Sequence, residues 1–269
     1  MEAETQVLDH GYVKLVTTWG SDQEIVETAR QSTQKGFLGW GPDYKCNGCG
    51  KLNTLGLGAK SVEGRLTMCE CGSRDIEEKP GDEKFLRFLD EHKHSTPFEF
   101  CGATFEVQAP IFVFREWHRH RTQSYSEMSA RYAPLPDMNY IPTVERLMAN
   151  TKTGNKQAGT IKGSAELTEA SAKFFQARLR DKYDDAEQLY QHALTNGVPK
   201  ELARVILPVG RYSRMRASTD LRNWMAFLTL RNDVNAQWEI RQYAIAVQAY
   251  LVEAFPHSMA LFQEKHPAG

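Results

Sequence analysis

Residues 11 to 17, Gly-Tyr-Val-Lys-Leu-Val-Thr, alternate apolar and polar and are rich in β-branched side chains, the pattern of a half-buried strand. Ser21 and Asp22 then supply the cap of a helix predicted through about Gln31. Across residues 39 to 81 periodicity lapses into short apolar pieces among Gly, Cys, Asn and Pro, which marks an inserted module within a main domain of residues 1–38 and 82–269. Helical spacing resumes at Phe85, Phe88 and Leu89 and stops at His94-Ser95-Thr96-Pro97, because the residue before a proline is pushed out of the α region. Residues 98 to 108 alternate as a strand, and Pro110 opens a short helix carrying Ile111, Phe114, Trp117 and His118. Residues 143 to 164 are polar and predict a surface loop. A long amphipathic helix follows over 165–195, with Phe175, Leu179, Ala186, Tyr190 and Ala193 on one face and Asn196-Gly197 as its stop. Pro199 opens a helix over 200–206, a strand spans about 211–217, and Asp220 caps a helix to about Arg231. The last predicted helix, 236–255, carries the stripe Ile240, Tyr243, Ala244, Val247, Leu251 and Ala254, with Pro256 following its end. Strands interleaved with helices place the chain in the α/β class.

Composition adds bounds. At 269 residues, 41% apolar and 25% charged, the chain can bury a sizeable core. Its net charge of −1 gives no global attraction to nucleic acid or to an anionic membrane, so an anionic ligand must be captured locally. No apolar run approaches the ~20 residues that span a bilayer, and the acidic start Met1-Glu2-Ala3-Glu4 lacks the form of a signal peptide, so the expectation is a cytoplasmic protein. Four of the five cysteines fall between residues 46 and 71, a poor disulfide framework for a reducing compartment and a good one for a metal. Cys101 reads as a small buried hydrophobe.

The candidate chemistry concentrates in Arg119-His120-Arg121-Thr122-Gln123-Ser124-Tyr125-Ser126-Glu127-Met128-Ser129-Ala130-Arg131-Tyr132. On a regular helix Arg119 and Arg121 would point about 200° apart and could not grip one phosphate together. Arg131 offers a planar fork suited to phosphate, the serines can donate, and Glu127 can accept. A surface helix end laced with salt bridges would explain many Arg-rich stretches. Here Glu116 and Glu127 are the acids against four arginines in residues 115 to 131, so the segment is not self-neutralised.

Arg119-His120-Arg121, seven residues, then Ser129 resembles the signature of the flavin-dependent thymidylate synthases. Ala109-Pro110-Ile111-Phe112-Val113, the Ser-Ala-Arg-Tyr of 129 to 132, His94 to Glu99, Ala203 to Pro208, Leu230-Arg231 and Ala236-Gln237-Trp238-Glu239-Ile240 agree, in the family's order and over most of the chain except residues 39 to 82. The resemblance implies a mixed sheet flanked by helices and an enzyme that methylates dUMP to dTMP with methylenetetrahydrofolate, FAD and NADPH. It also implies a homotetramer with active sites between subunits. FAD would be held by His94, Thr96, Glu99, Arg119, His120, Arg121, Thr122, Glu127, Asp220 and Arg222, with Ser32 from another subunit. The dUMP site would comprise Glu116, Arg119, Glu127, Met128, Ser129, Ala130, Arg131, Arg204 and Arg231. Arg231, the catalytic candidate, would face the uracil imide, where a fixed cation stabilises developing negative charge; without a ligand it reads as a cation at a helix C-terminus.

On this resemblance, Arg131 and Arg204 with the Ser129 hydroxyl would make a clamp for the 5′-phosphate. Ser129 lacks the adjacent base that a nucleophile needs, so the chemistry fits a reaction without an enzyme nucleophile. The chain departs from many relatives at Ala226 and Asn235, where polar contacts to flavin or folate are lost. Flavin-dependent hydroxymethylation, or another pyrimidine nucleotide as substrate, is the alternative within this class. A non-catalytic nucleotide- or nucleic-acid-binding zinc protein is the alternative outside it, and the near-zero net charge disfavours nucleic acid. Cys46-Asn-Gly-Cys49-Gly and Cys69-Glu-Cys71-Gly, nineteen residues apart, read as two knuckles of a structural zinc site, with free thiols or a redox pair as the other reading.

Overall fold

The computed structural model describes residues 4–41, 43–53, 60–62, 65–79, 81–149, 159–161 and 163–267. β1 (Glu4–Val7) turns at Leu8, which has φ +59°, into β2 (Gly11–Trp19). α1 (Asp22–Arg30) begins where the Ser21 hydroxyl accepts the Glu24 N–H at 3.2 Å, the cap that the sequence predicts. Residues 43–79 contribute β3 (Asp43–Cys46), β4 (Leu52–Asn53), β5 (Lys60–Val62), β6 (Arg65–Met68) and β7 (Ile76–Lys79), in two small sheets of their own. The chain continues with α2 (Asp82–Glu91), a 3-10 turn at Thr96–Glu99, β8 (Gly102–Pro110), α3 (Ile111–Trp117) and β9 (Ser124–Glu127). After α4 (Val144–Ala149), α5 (Glu169–Thr195) and α6 (Lys200–Ala203) come β10 (Tyr212–Asp220), α7 (Leu221–Arg231), α8 (Trp238–Ala254) and α9 (Pro256–Lys265).

The main sheet runs β1-β2-β8-β10-β9 and is flanked by helices, the α/β arrangement expected. Every pairing in it is antiparallel, which corrects one detail, the mixed strand directions that the resemblance implied. β8 pairs β10 over nine residues, Gly102 to Pro110 against Asp220 to Tyr212. Because strand side chains alternate, Val13, Ala103, Phe105, Val107, Met215 and Ala217 all reach one face. They pack there in one core with Trp117 of α3, Trp224 and Phe227 of α7, and Tyr243 and Val247 of α8. Cys101 is buried in the same core, as expected, and burial pushes its thiol well above the usual range. The opposite face is polar: Tyr12 donates to Glu106 at 3.0 Å, and Arg216 reaches the same carboxylate at 3.4 Å.

Some predicted elements move. β8 begins at Gly102 because Thr96–Glu99 is taken up by the 3-10 turn. The loop expected over 143 to 164 begins with α4, and residues 150–158 and 162 of it lie outside the described residues. Pro256 opens α9 and does not merely end α8. Arg211 is 1% exposed and bonds Asp137 at 2.7 Å and Glu187 at 2.6 Å, which ties the segment after the Arg-rich signature to α5. No helix among the described residues is long and apolar enough to cross a membrane.

Candidate active site

α3 ends at Trp117, so Arg119, His120 and Arg121 sit in the turn beyond the helix and helical angles do not govern them. Arg119 and Arg121 are exposed, and His120 lies partly buried between them. The turn is pinned from inside. Trp117 donates its indole N–H to the buried Gln123 amide oxygen at 3.0 Å, and the Tyr125 hydroxyl donates to the His120 carbonyl at 2.6 Å. β9 then lays Ser124 to Glu127 along the edge of the sheet, with Glu127 opposite Met215. Gln123 and Tyr125 are absent from the sequence candidates. Their positions inside the signature are the signal that could have found them.

Arg231, at the C-terminal end of α7, reaches back across the chain to this turn. Its Nη1 donates to Glu116 Oε2, its Nη2 to the Glu116 carbonyl and its Nε to His120 Nε2, each at 2.9 Å. His120 is therefore an acceptor at Nε2. Burial, and secondarily the neighbouring Arg231 cation, holds its pKa down at about 4, so the ring is neutral near pH 7 with its proton on Nδ1. A guanidinium has five N–H donors, so two remain for a ligand.

A second grouping surrounds the start of α7. Asp220 caps that helix, its Oδ1 accepting from the Asn223 N–H at 2.9 Å and its Oδ2 from the Asn223 amide at 2.7 Å. Both carboxylate oxygens are thus engaged in orienting the helix that carries Arg222. Arg222 pairs with Glu99, and the Thr219 hydroxyl donates to the Thr122 carbonyl at 3.1 Å. Between α2 and α7 lies a cavity of about 350 Å³, lined by His94, Ser95, Phe98, Arg222, Met225 and Ala226 among others. Two larger grooves, of about 570 and 600 Å³, run along α8 and contain none of the signature residues, so size alone is a poor guide here. Thr96 is exposed on the 3-10 turn below Glu99, and Ser32 is exposed on another 3-10 turn, Gln31–Thr33, outside this cavity.

The phosphate-side candidates form a third grouping. The Ser129 hydroxyl accepts the Arg131 N–H at 3.3 Å, Ala130 is buried and Met128 bonds its N–H to the Arg214 carbonyl at 2.8 Å. Lys200, absent from the sequence candidates, donates to the Tyr132 carbonyl at 3.0 Å and so fastens α6 to this turn. Arg204 begins the 3-10 turn directly after α6. Among the described residues Arg119, Arg121, Arg131 and Arg204 make no ion pair, whereas Glu116 and Glu99 are each taken by an arginine. No histidine or carboxylate bonds the Ser129 hydroxyl among the described residues. The structure joins Glu116, His120 and Arg231 directly, and Glu99 with Arg222; among the described residues no hydrogen bond or ion pair links Arg131 or Arg204 to either set.

Residues 14–257 match the model of the thymidylate synthase complementing protein family. The chain belongs to the flavin-dependent thymidylate synthase family. It is 32% identical to the flavin-dependent thymidylate synthase of Thermosipho melanesiensis over 259 residues, 96% of this chain and 93% of that protein. It is 35% identical to a Thermus thermophilus enzyme of the same name over 258 residues, covering 96% of this chain and 77% of the relative. Among solved structures it resembles the UMP/dUMP methylase PolB from Streptomyces cacaoi bound with 5-Br UMP. That likeness has a TM-score of 0.69 at 25% identity, over 96% of both chains. The same methylase bound with 5-Br dUMP gives a TM-score of 0.68 at 26% identity. Residues 43–79 form small sheets separate from the main one, and the four cysteine Sγ atoms among them all lie within 4.8 Å of one another.

Proposed function

We propose that this member of the family methylates dUMP to dTMP, with methylenetetrahydrofolate as carbon donor, FAD as redox cofactor and NADPH as reductant. The observation that carries this reading is the Glu116–Arg231–His120 cluster, with Arg119 and Arg121 on either side of His120 and in no ion pair among the described residues. The phosphate of the nucleotide falls to Arg131 and Arg204 with the Ser129 hydroxyl, a charge-assisted clamp. The two spare N–H groups of Arg231 face the pyrimidine, where negative charge grows as C5 becomes nucleophilic and later loses its proton. Glu116 and His120 orient the guanidinium, and a neutral His120 can accept the Arg231 Nε–H.

The cavity beside α7 fits a flavin in kind: Phe98 and Met225 give an apolar wall, Arg222 a cation, and His94 a polar edge. Bound there, FAD would supply the hydride chemistry, with Arg119, Arg121 and Arg222 holding its anionic parts. About 350 Å³ is near the low end of the ~300–1,000 Å³ of ligand pockets, so one chain encloses only part of such a cofactor. A homotetramer with shared sites supplies the rest, including Ser32 from a neighbour. Its support is the apolar surface of Phe174, Phe175, Leu189, Leu202, Val205 and Val209, all exposed in the single chain.

The test is mass analysis of products after incubating the protein with FAD, NADPH, methylenetetrahydrofolate and either dUMP or UMP. Formation of dTMP from dUMP is expected. A hydroxymethyl product, or turnover of UMP alone, would overturn the substrate or product assignment, and a protein that retains no FAD would overturn the flavin reading.

A further inference from the structure

We propose that Cys46, Cys49, Cys69 and Cys71 hold one zinc ion as a tetrathiolate, and that this ion stands in for an apolar core in folding the insert. The sulfur geometry comes first. Cys46 and Cys71 Sγ are 3.6 Å apart, Cys49 and Cys69 Sγ are 3.7 Å apart, and all four lie within 4.8 Å of one another. A tetrahedron with Zn–S bonds of ~2.3 Å has edges of about 3.8 Å, whereas a disulfide needs ~2.05 Å. The backbone is shaped to match. Gly50 at φ +74° returns its N–H to the Cys46 carbonyl at 2.8 Å, and Gly72 at φ +83° returns its N–H to the Cys69 carbonyl at 2.8 Å, so each half closes a tight turn on its first cysteine, one residue shorter in the second half. The N–H groups of Gly48 and Cys49 point at the Cys46 sulfur and that of Ser73 at the Cys71 sulfur, which spreads thiolate charge into the backbone. The knuckles are also tied to each other, Asn47 bonding Asp75 through its N–H at 3.0 Å and its amide at 3.1 Å.

Apolar burial among the described residues of the insert is sparse. Of the described side chains between residues 43 and 79, Tyr44, Cys46 and Cys69 are the buried ones, and the main apolar core draws no member from that span. Segments this short with so little apolar burial depend on a metal. A tetrahedral S4 set selects zinc or iron, and zinc is chosen because its closed, redox-inert site suits a purely structural role. At the other end of β3 and β7 the insert is fastened without metal. A Cβ on Gly81 would fall 1.7 Å from the Gly41 carbonyl, so these backbones touch. Asp82 accepts the Leu38 N–H at 2.6 Å and pairs with Arg30, and Trp40 stacks on His257 with ring centroids 3.9 Å apart. Loss of the ion should therefore unravel residues 43 to 79 while this neck stays in place.

The full chain, purified without chelator, is expected to carry one zinc per chain by inductively coupled plasma mass spectrometry. Cys49→Ser and Cys71→Ser, made separately at the two exposed ligands, should each reduce zinc to background and leave the flavin content unchanged. After zinc is stripped from the wild-type chain, limited proteolysis should cut within 43 to 79 and spare the main domain. Iron or no metal in the wild-type protein, two disulfides among the four cysteines, or an unchanged proteolytic pattern after verified zinc loss would overturn the proposal. None of these readouts depends on the proposed reaction.

Discussion

Arg231→Met removes a guanidinium that makes three bonds of 2.9 Å, to Glu116 Oε2, the Glu116 carbonyl and His120 Nε2. Taken one at a time such bonds are worth about 1.5–3 kcal/mol when charged, but their sum overstates the loss of stability. The Glu116 side chain is 45% exposed and can turn to water once released, and the three bonds share one donor group. Folding should lose about 1–3 kcal/mol, which most domains survive. Catalysis should lose more. A preorganised donor aimed at developing charge is worth about 2.7–4 kcal/mol, or ~100- to 1,000-fold in kcat, and the KM for dUMP should change only a few-fold because Arg131 and Arg204 are untouched. Arg231→Lys keeps the charge but loses the fork, and should fall between the two. The assay is steady-state dTMP formation at saturating folate and NADPH, with a melting curve for each variant. A kcat for Arg231→Met within about threefold of wild type, or a change carried wholly by KM, would refute the electrostatic role.

Arg131→Ala and Arg204→Ala should each raise the KM for dUMP roughly 10- to 100-fold, from about 1.5–3 kcal/mol of charge-assisted bonding, while flavin absorbance persists; unchanged KM values would remove them from the phosphate site. Arg222→Ala should leave the melting temperature nearly unaltered, since its pair with Glu99 is exposed and worth at most about 1 kcal/mol, yet it should weaken FAD retention in equilibrium dialysis. His120 is held at about 4 against an ordinary 6.5, so below pH 6.5 the unfolded chain takes up a proton that the folded chain refuses. Its contribution makes stability fall as pH drops from 6.5 to about 4 and level off below that; His120→Gln should flatten this part of a denaturation-versus-pH curve, and an unchanged slope would count against the buried neutral ring. Asp82→Ala, which strips the buried partner from Arg30 and the Leu38 N–H, should cost about 3–5 kcal/mol in urea unfolding.

The elements legible from sequence are those with a buried stripe and a cap. β2, α7 and α8 show the alternation or helical spacing that their burial requires, and Ser21 and Asp220 stand at the caps expected of them. Two strands of the main sheet lack that signal for a physical reason. β1 exposes three of its four residues and β9 has Tyr125 as its one apolar side chain, because an edge strand needs little burial when its neighbour supplies the hydrogen bonds. Pro256 is ambiguous in sequence because proline is as compatible with a first helical turn as with the residues after a last one. In the site, Arg231 and Glu116 lie 115 residues apart and meet only once α3 and α7 share the sheet's buried face. Family resemblance could nominate them both, but no local spacing could show that Glu116 already holds the arginine. Arg119 and Arg121 escape the 200° separation of a regular helix for the simplest reason, that α3 ends at Trp117.

The edge position of β9 also explains why so polar a site can belong to so apolar a fold. β9 pairs with β10 on one side and with nothing described on the other, so Ser124, Ser126 and Glu127 stand exposed where the sheet stops. An open edge invites another chain unless something charged blocks it, and here the strand is flanked by the unneutralised arginines at 119, 121 and 131. Like charge on two copies would repel until an anion lies between them. On the proposed function that anion is nucleotide or flavin phosphate, so ligand binding and subunit association should favour one another. On the same proposal, an edge that would otherwise risk aggregation becomes a shared, ligand-dependent wall.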